Sequence, residues 1–241
     1  MELARANRVD PGPRPLAAAA QPQVTPRDAD RLIQRLLRYG LGGHGPLEGA
    51  KALGWRYASD ASFSDTDARV RALIRSHTLM NFGTGFLTGL GGLVTLPIAI
   101  PSAMTASWVI HTRLAAAIAV LHGHDVDDER VQTFILFSLL GNAGKQVLRS
   151  AGITVANRLA HRGIDAIPAR LLTELNRRVG MRLVTKVGER GVINLAKVVP
   201  VAGGFVGGSV DALYCNAVGH RAHALFKPAG PADRPQEPNG S

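Results

Sequence analysis

The sequence predicts an all-α protein, a helical bundle whose apolar helices are glycine-rich and closely packed. Three observations carry that expectation. Apolar residues recur at helical spacing in several segments, capping residues stand just ahead of those segments, and no alternating pattern long enough for a useful strand interrupts them. Folded material is expected from residue 25 to residue 226. Residues 1–24 mix Pro, Ala, Arg and Gln and read as a disordered leader, while residues 227–241, with Pro228, Pro231, Pro235 and Pro238, read as a disordered tail.

The first helix begins at "TPRDADRLIQRLLRYG". Thr25 suits the N-cap, Pro26 the first helical position and Asp28 the first turn, and Leu32, Ile33, Leu36 and Leu37 follow at helical spacing until Gly40. A second helix is expected over Leu47 to Tyr57. A third starts at "SDTDARVRALIRSH", where Ser64 is placed as the cap and Asp65 and Asp67 suit the positive end of the helix dipole. It runs into a stretch from Thr78 to Ile110 in which 33 successive residues include no Asp, Glu, Lys or Arg.

Within that stretch the 17 residues Leu79–Thr95 make a helix of about 26 Å, less than the ~30 Å hydrocarbon core of a bilayer. "LPIAIP" is expected to break it, with another helix over Ser102–Leu121. His111 and Arg113 in the middle of that helix argue against a simple spanning segment, which leaves a re-entrant hairpin or a buried core hairpin. "HDVDDERVQTFILFSLLGNAGKQVLRSAG" opens the next helix, with Asp125 or Asp127 at its cap and apolar residues spread too widely for one wet face, so it should be buried. The last helix should run from about Val201.

Composition narrows the partner. The 27 glycines, 5% aromatic residues and net charge of +10 suggest small-residue packing and an anionic partner, either lipid headgroups or nucleic acid. A single cysteine, Cys215, excludes an intramolecular disulfide and a four-thiolate metal site and fits a reducing compartment. The only apolar run before residue 30, Leu16–Ala20, is too short for a secretory signal. A cytoplasmic, membrane-associated location is therefore expected.

Gly85 and Gly89 form one GxxxG pair, and Gly203 with Gly207 and Gly204 with Gly208 form two more. At that spacing a second backbone can approach one helix face closely. A flexible loop is the plainer alternative, but five glycines in ten residues, Gly83 to Gly92, would weaken a helix by about 1 kcal/mol each and need packing to offset them. "GTGFLTG" is not a dinucleotide fingerprint, because its third glycine comes one residue late and the segment before it reads as helix. "GNAGKQ" lacks the spacing and the Ser or Thr of a P-loop. There is no GxSxG elbow, and Cys215, His220 and His223 do not share one helix face for zinc.

Residues 145–197 hold eleven Lys or Arg against three acids, so most of the net charge sits in about one fifth of the chain. The tract includes no Phe, Tyr or Trp for stacking on bases, which disfavours nucleic acid, and its amphipathic repeats fit an anionic leaflet better. Lys145, Arg149, Arg177, Arg178, Arg182 and Lys186 are the candidate contacts for phosphate or lipid headgroups. The one dense acidic cluster brings Asp125, Asp127, Asp128 and Glu129 beside His122 and His124. Such carboxylates can hold Mg²⁺ on a diphosphate, whereas an N-cap with first-turn acids explains them without a metal.

Taken together, "TGFLTGLGGLVTLPIAIP", "GHDVDDERV", "GNAGKQVL" and "VGERGVINLAKVVPVAGGFVGGSVDA" resemble the EcsC family of bacterial proteins, in that order and across about Leu73 to Ala222. The resemblance implies a mostly helical bacterial protein, of a family named for its genetic association with an ABC transporter, and brings no catalytic residues. An acidic residue is common in the family where Asn142 stands here. The expectation is thus a peripherally membrane-associated binding or accessory protein that contacts anionic lipid or a lipophilic ligand, with a membrane-protein partner also compatible. The competing expectation is a Mg²⁺-dependent enzyme acting on an isoprenoid or prenyl diphosphate, with the four acids as its metal ligands.

Overall fold

The computed structural model describes residues 25–43, 48–90, 96–141, 143, 144, 146, 147, 169–193 and 200–228. Side-chain surroundings are described over 25–43, 48–83, 107–141, 143, 144, 146, 147, 172–185 and 208–228. Among the described residues there are seven helices and no strand: α1 Pro26–Gly42, α2 Ala50–Ala58, α3 Thr66–Leu90, α4 Leu96–Leu121, α5 Glu129–Ser138, α6 Ala169–Ile193 and α7 Pro200–Phe226. The expected leader lies outside the described residues, as does the tail beyond Pro228.

Local signals place the helix starts. Thr25 caps α1 in a capping box, accepting from the Asp28 amide while the Asp28 carboxylate accepts from the Thr25 amide at 3.0 Å. At α3 the capping oxygen belongs to Asp65, which takes the Ala68 amide at 2.7 Å, whereas Ser64 donates its hydroxyl to Asp65. At α5 the cap is Asp128 rather than Asp125 or Asp127. Each reassignment puts the capping oxygen three residues or fewer ahead of a free amide, which is the reach of a short carboxylate. Gly141, with φ 64°, turns the chain after α5.

"LPIAIP" does not separate two helices. α3 runs to Leu90, α4 starts at Leu96, and Pro97 falls in the first turn of α4, where a missing amide costs nothing. α3 and α7 pack along each other most extensively, α4 lies against both, and α1 and α2 cover the outer side of α4. The core joins Leu36, Leu53, Leu73, Ile74, Trp108, the Leu114–Ala119 run, Phe134, Val179, Cys215 and Phe226. Burying one large apolar side chain of this kind contributes about 1.5–3 kcal/mol.

Close approach is made by glycines. A Cβ on Gly219 of α7 would stand 2.6 Å from Ile74 of α3, one on Gly54 would stand 2.6 Å from Val120 of α4, and one on Gly180 of α6 would stand 2.7 Å from Ile33 of α1. Gly85, Gly89, Gly203, Gly204 and Gly207 lie in α3 and α7, but their surroundings are outside the described residues; Gly208 is buried. Sequence reasoning singled out the GxxxG pairs and passed over Gly54, Gly180 and Gly219, each of which stands without a GxxxG partner.

Candidate functional site

Helix directions follow from contacts spread along the bundle. Asp67 of α3 meets Lys227 just beyond α7 at 2.6 Å, Ile74 meets Gly219, and the Asn81 amide donates to the Cys215 sulfur at 3.3 Å. Rising numbers on α3 thus match falling numbers on α7, and the two are antiparallel. His111 of α4 packs its ring on Tyr214 at 5.0 Å and His122 meets His223 at 3.0 Å. Both numbers rise together, so α4 and α7 run parallel. The end of α3, the start of α4 and the start of α7 therefore lie at one end of the bundle.

The helix segments that meet there carry no Asp, Glu, Lys or Arg. The uncharged run Thr78–Ile110 supplies α3 and α4, and Pro200–Val210 opens α7. Nearer the middle of α3 and α7, large apolar side chains are open to water: Leu79 is 64% exposed, Val210 52% and Leu213 71%, with half-buried Asp211 between the last two. The remaining large exposed apolar side chain among the described residues, Trp55, sits on α2 beside Gly54, which packs near the other end of α4. No helix among the described residues is long and apolar enough to cross a membrane. His111 and Arg113 are buried inside the protein, with Arg113 Nε donating to the Glu48 carbonyl at 2.7 Å.

The opposite end is polar. His122 Nε2 and His223 Nδ1 are 3.0 Å apart, His223 faces Asp67 at 3.6 Å, and Lys227 closes the group. Burial pushes His122 down to about 4, with the neighbouring His223 adding to the shift, and burial lowers His223 as well.

Cationic residues line the flank. Among the described side chains, α6 turns Leu172, Leu175, Val179 and Leu183 into the core and leaves Thr173, Arg177, Arg182 and Thr185 exposed. On that face Arg177 and Arg178 both pair with Glu174, whose carboxyl they hold down at about 2. Among the described residues no carboxylate pairs with Arg182. Gln146, Val147, Arg177, Arg178, Met181, Arg182 and Thr185 enclose a groove of about 470 Å³. Lys145 and Arg149 lie outside the described residues, as do the surroundings of Lys186 and the residue Asn142.

Sequence reasoning missed a second basic stripe. Arg27, Arg31, Arg35 and Arg38 are all exposed on α1, which packs against α6. Their spacing of four, four and three residues puts them on one helix face and was legible as such. Six residues join Ile193 to Pro200, which keeps the end of α6 within about 25 Å of the charge-free end.

The acidic cluster is engaged in local roles. Asp125 and Asp127 both pair with Lys51 of α2, Asp128 accepts from the Arg130 amide at 2.6 Å, and Glu129 occupies the first turn of α5. Among the described residues no group of three or more His, Cys, Asp or Glu side chains is arranged to hold a metal ion. Cys215 is fully buried, and burial pushes its thiol up to about 12.

These features define, among the described residues, an all-helical protein with uncharged helix segments meeting at one end and a cationic flank. The chain belongs to the EcsC protein family, whose family model matches residues 21–228, a longer span than the motifs alone carry. No curated protein and no solved structure matches it.

Proposed function

We propose that the protein is a peripheral membrane-binding or accessory module that rests its charge-free end against anionic lipid, with the basic faces of α1 and α6 drawn to the headgroups. The observation that carries this reading is the convergence of three uncharged segments at one end. Apolar surface left exposed along α3 and α7, at Leu79, Val210 and Leu213, favours transfer out of water by about 25 cal/mol per Å². Each arginine near an anionic leaflet adds about 1 kcal/mol. Because the apolar stripe of α6 faces the core, α6 contributes attraction by charge rather than insertion.

Liposome flotation tests the reading. The protein is expected to float with vesicles containing phosphatidylglycerol, to float weakly with phosphatidylcholine alone, and to lose most binding at high salt as Debye screening shortens. Equal failure to float with both compositions rejects the proposal. The same assay run on DNA-loaded resin distinguishes nucleic-acid binding, which would give salt-sensitive retention without lipid affinity.

A further inference from the structure

The outward face of α1 is a row of arginines without acids to match. Arg27, Arg31, Arg35 and Arg38 are exposed there, and among the described residues none of the four forms an ion pair with a carboxylate. Both acids of the helix, Asp28 and Asp30, stand in its first five residues, and Asp28 is engaged with Thr25 at the cap and lies near Arg31. From Arg31 to Gly42 the helix therefore holds three arginines and no acid. Residues four apart stand about 6 Å apart along a helix, less than the ~8 Å Debye length at physiological salt, so their fields add. The row does not stabilise α1, because like charges three or four residues apart disfavour a helix. The helix is held by its inner side, where Ala29, Leu36 and Gly40 are buried. Its other exposed residues are Pro26, Asp30, Gln34 and Gly42, so the face offers nothing to stack on a base or to insert into hydrocarbon. Charge is all that it presents.

The geometry points to α1 as the helix that lies along the anionic leaflet, with Arg31, Arg35 and Arg38 at the phosphate headgroups. A leaflet presents many phosphates and no fixed shape, which a straight row of guanidinium forks about 16 Å long meets without a pocket. On α6, by contrast, Arg177 and Arg178 already share Glu174. The inference rests on the membrane role proposed above and assigns most of its attraction by charge to this one helix face.

The test is flotation of the full chain with phosphatidylglycerol vesicles, beside its thermal melt. R35Q/R38Q should bind about thirtyfold more weakly than wild type, about fivefold for each arginine withdrawn from the leaflet. R35K/R38K keeps the charge and should bind as wild type does. R71Q/R75Q, at exposed positions on α3, and R177Q/R182Q on α6 remove the same charge elsewhere and should each weaken binding by less than about threefold. Because Arg35 repels both Arg31 and Arg38, R35Q/R38Q should melt no more than about 2 °C below wild type, which separates a lost contact from a lost fold. A larger drop in melting temperature overturns the row as surplus charge, and so does a lysine variant as weak as the glutamine one. Equal losses in the α1, α3 and α6 variants overturn the assignment to α1. Wild type that fails to float overturns the membrane reading and this one together, whereas flotation that R35Q/R38Q leaves unchanged overturns this one alone. Retention of wild type on DNA but not on vesicles, abolished in R35Q/R38Q, would assign the row to nucleic acid and overturn the leaflet contact.

Discussion

His77 shows how a single side chain ties this fold to pH. Its ring is 4% exposed between α3 and its neighbours, Nδ1–H donates to the Leu73 carbonyl at 3.1 Å, and Nε2 is buried without a hydrogen bond. Burial, helped by the positive charge of Arg113, pushes its pKa down to about 4. The unfolded chain therefore takes up a proton near pH 6.5 that the folded protein refuses until about pH 4. Stability is fully present above pH 6.5 and falls as the pH drops through that window, by up to about 3 kcal/mol from His77. His122, more open to solvent and also lowered to about 4, adds a smaller share. Thermal melts at pH 7, 5.5 and 4.5 should show a steady fall, and His77→Gln should flatten the slope; an unchanged slope in that variant would assign the acid sensitivity elsewhere.

At the scale of elements, glycines decide how near two helices come, and they do not all act alike. Gly219 is pressed against Ile74, whereas a Cβ at Gly83 would meet nothing within 4 Å. Alanine in place of helical glycine ordinarily gains about 1 kcal/mol, and forced overpacking costs about 1–3 kcal/mol. Gly83→Ala should therefore raise the melting temperature by about 2–4 °C, and Gly219→Ala should lower it by a similar amount. Two shifts of the same sign would contradict the packing.

The helices themselves were legible because periodicity and caps are local. Thr25, Asp28 and the Leu32–Leu37 pattern fixed α1 almost to the residue, since every partner lies within one turn. Choosing among Asp125, Asp127 and Asp128 for the α5 cap was not legible, because all three are short acids and the competition is settled by Lys51 on a different helix. Gly54, Gly180 and Gly219 escaped notice for a related reason: the need for a missing Cβ is imposed by Val120, Ile33 and Ile74, each far away in the chain. "LPIAIP" was read as a breaker for its two prolines, yet Pro97 falls in the first turn of α4, where proline is permitted, and α4 continues through Pro101.

Across the whole molecule the organising feature is polarity. The α3–α7 pair runs from a histidine, aspartate and lysine cluster at one end to an uncharged, glycine-rich end, with arginines of α1 and α6 along the side. Sequence supplied the uncharged run Thr78–Ile110 and the basic tract but not their arrangement, because parallel and antiparallel packing cannot be told apart from composition. The α1 stripe went unread for the opposite reason, as its apolar half dominated the pattern. The central claim is that the charge-free end meets lipid, and a spin label reports it directly. In a Cys215→Ser background, which leaves no other thiol, a label is placed at Val210→Cys, exposed on the half of α7 nearer that end, or at Ala224→Cys, exposed toward the opposite end. On phosphatidylglycerol vesicles the label at position 210 should become accessible to lipid-soluble oxygen and shielded from a water-soluble relaxant, while the label at position 224 stays in water. Both labels remaining in water on bound protein, or position 224 entering lipid instead, would contradict the account.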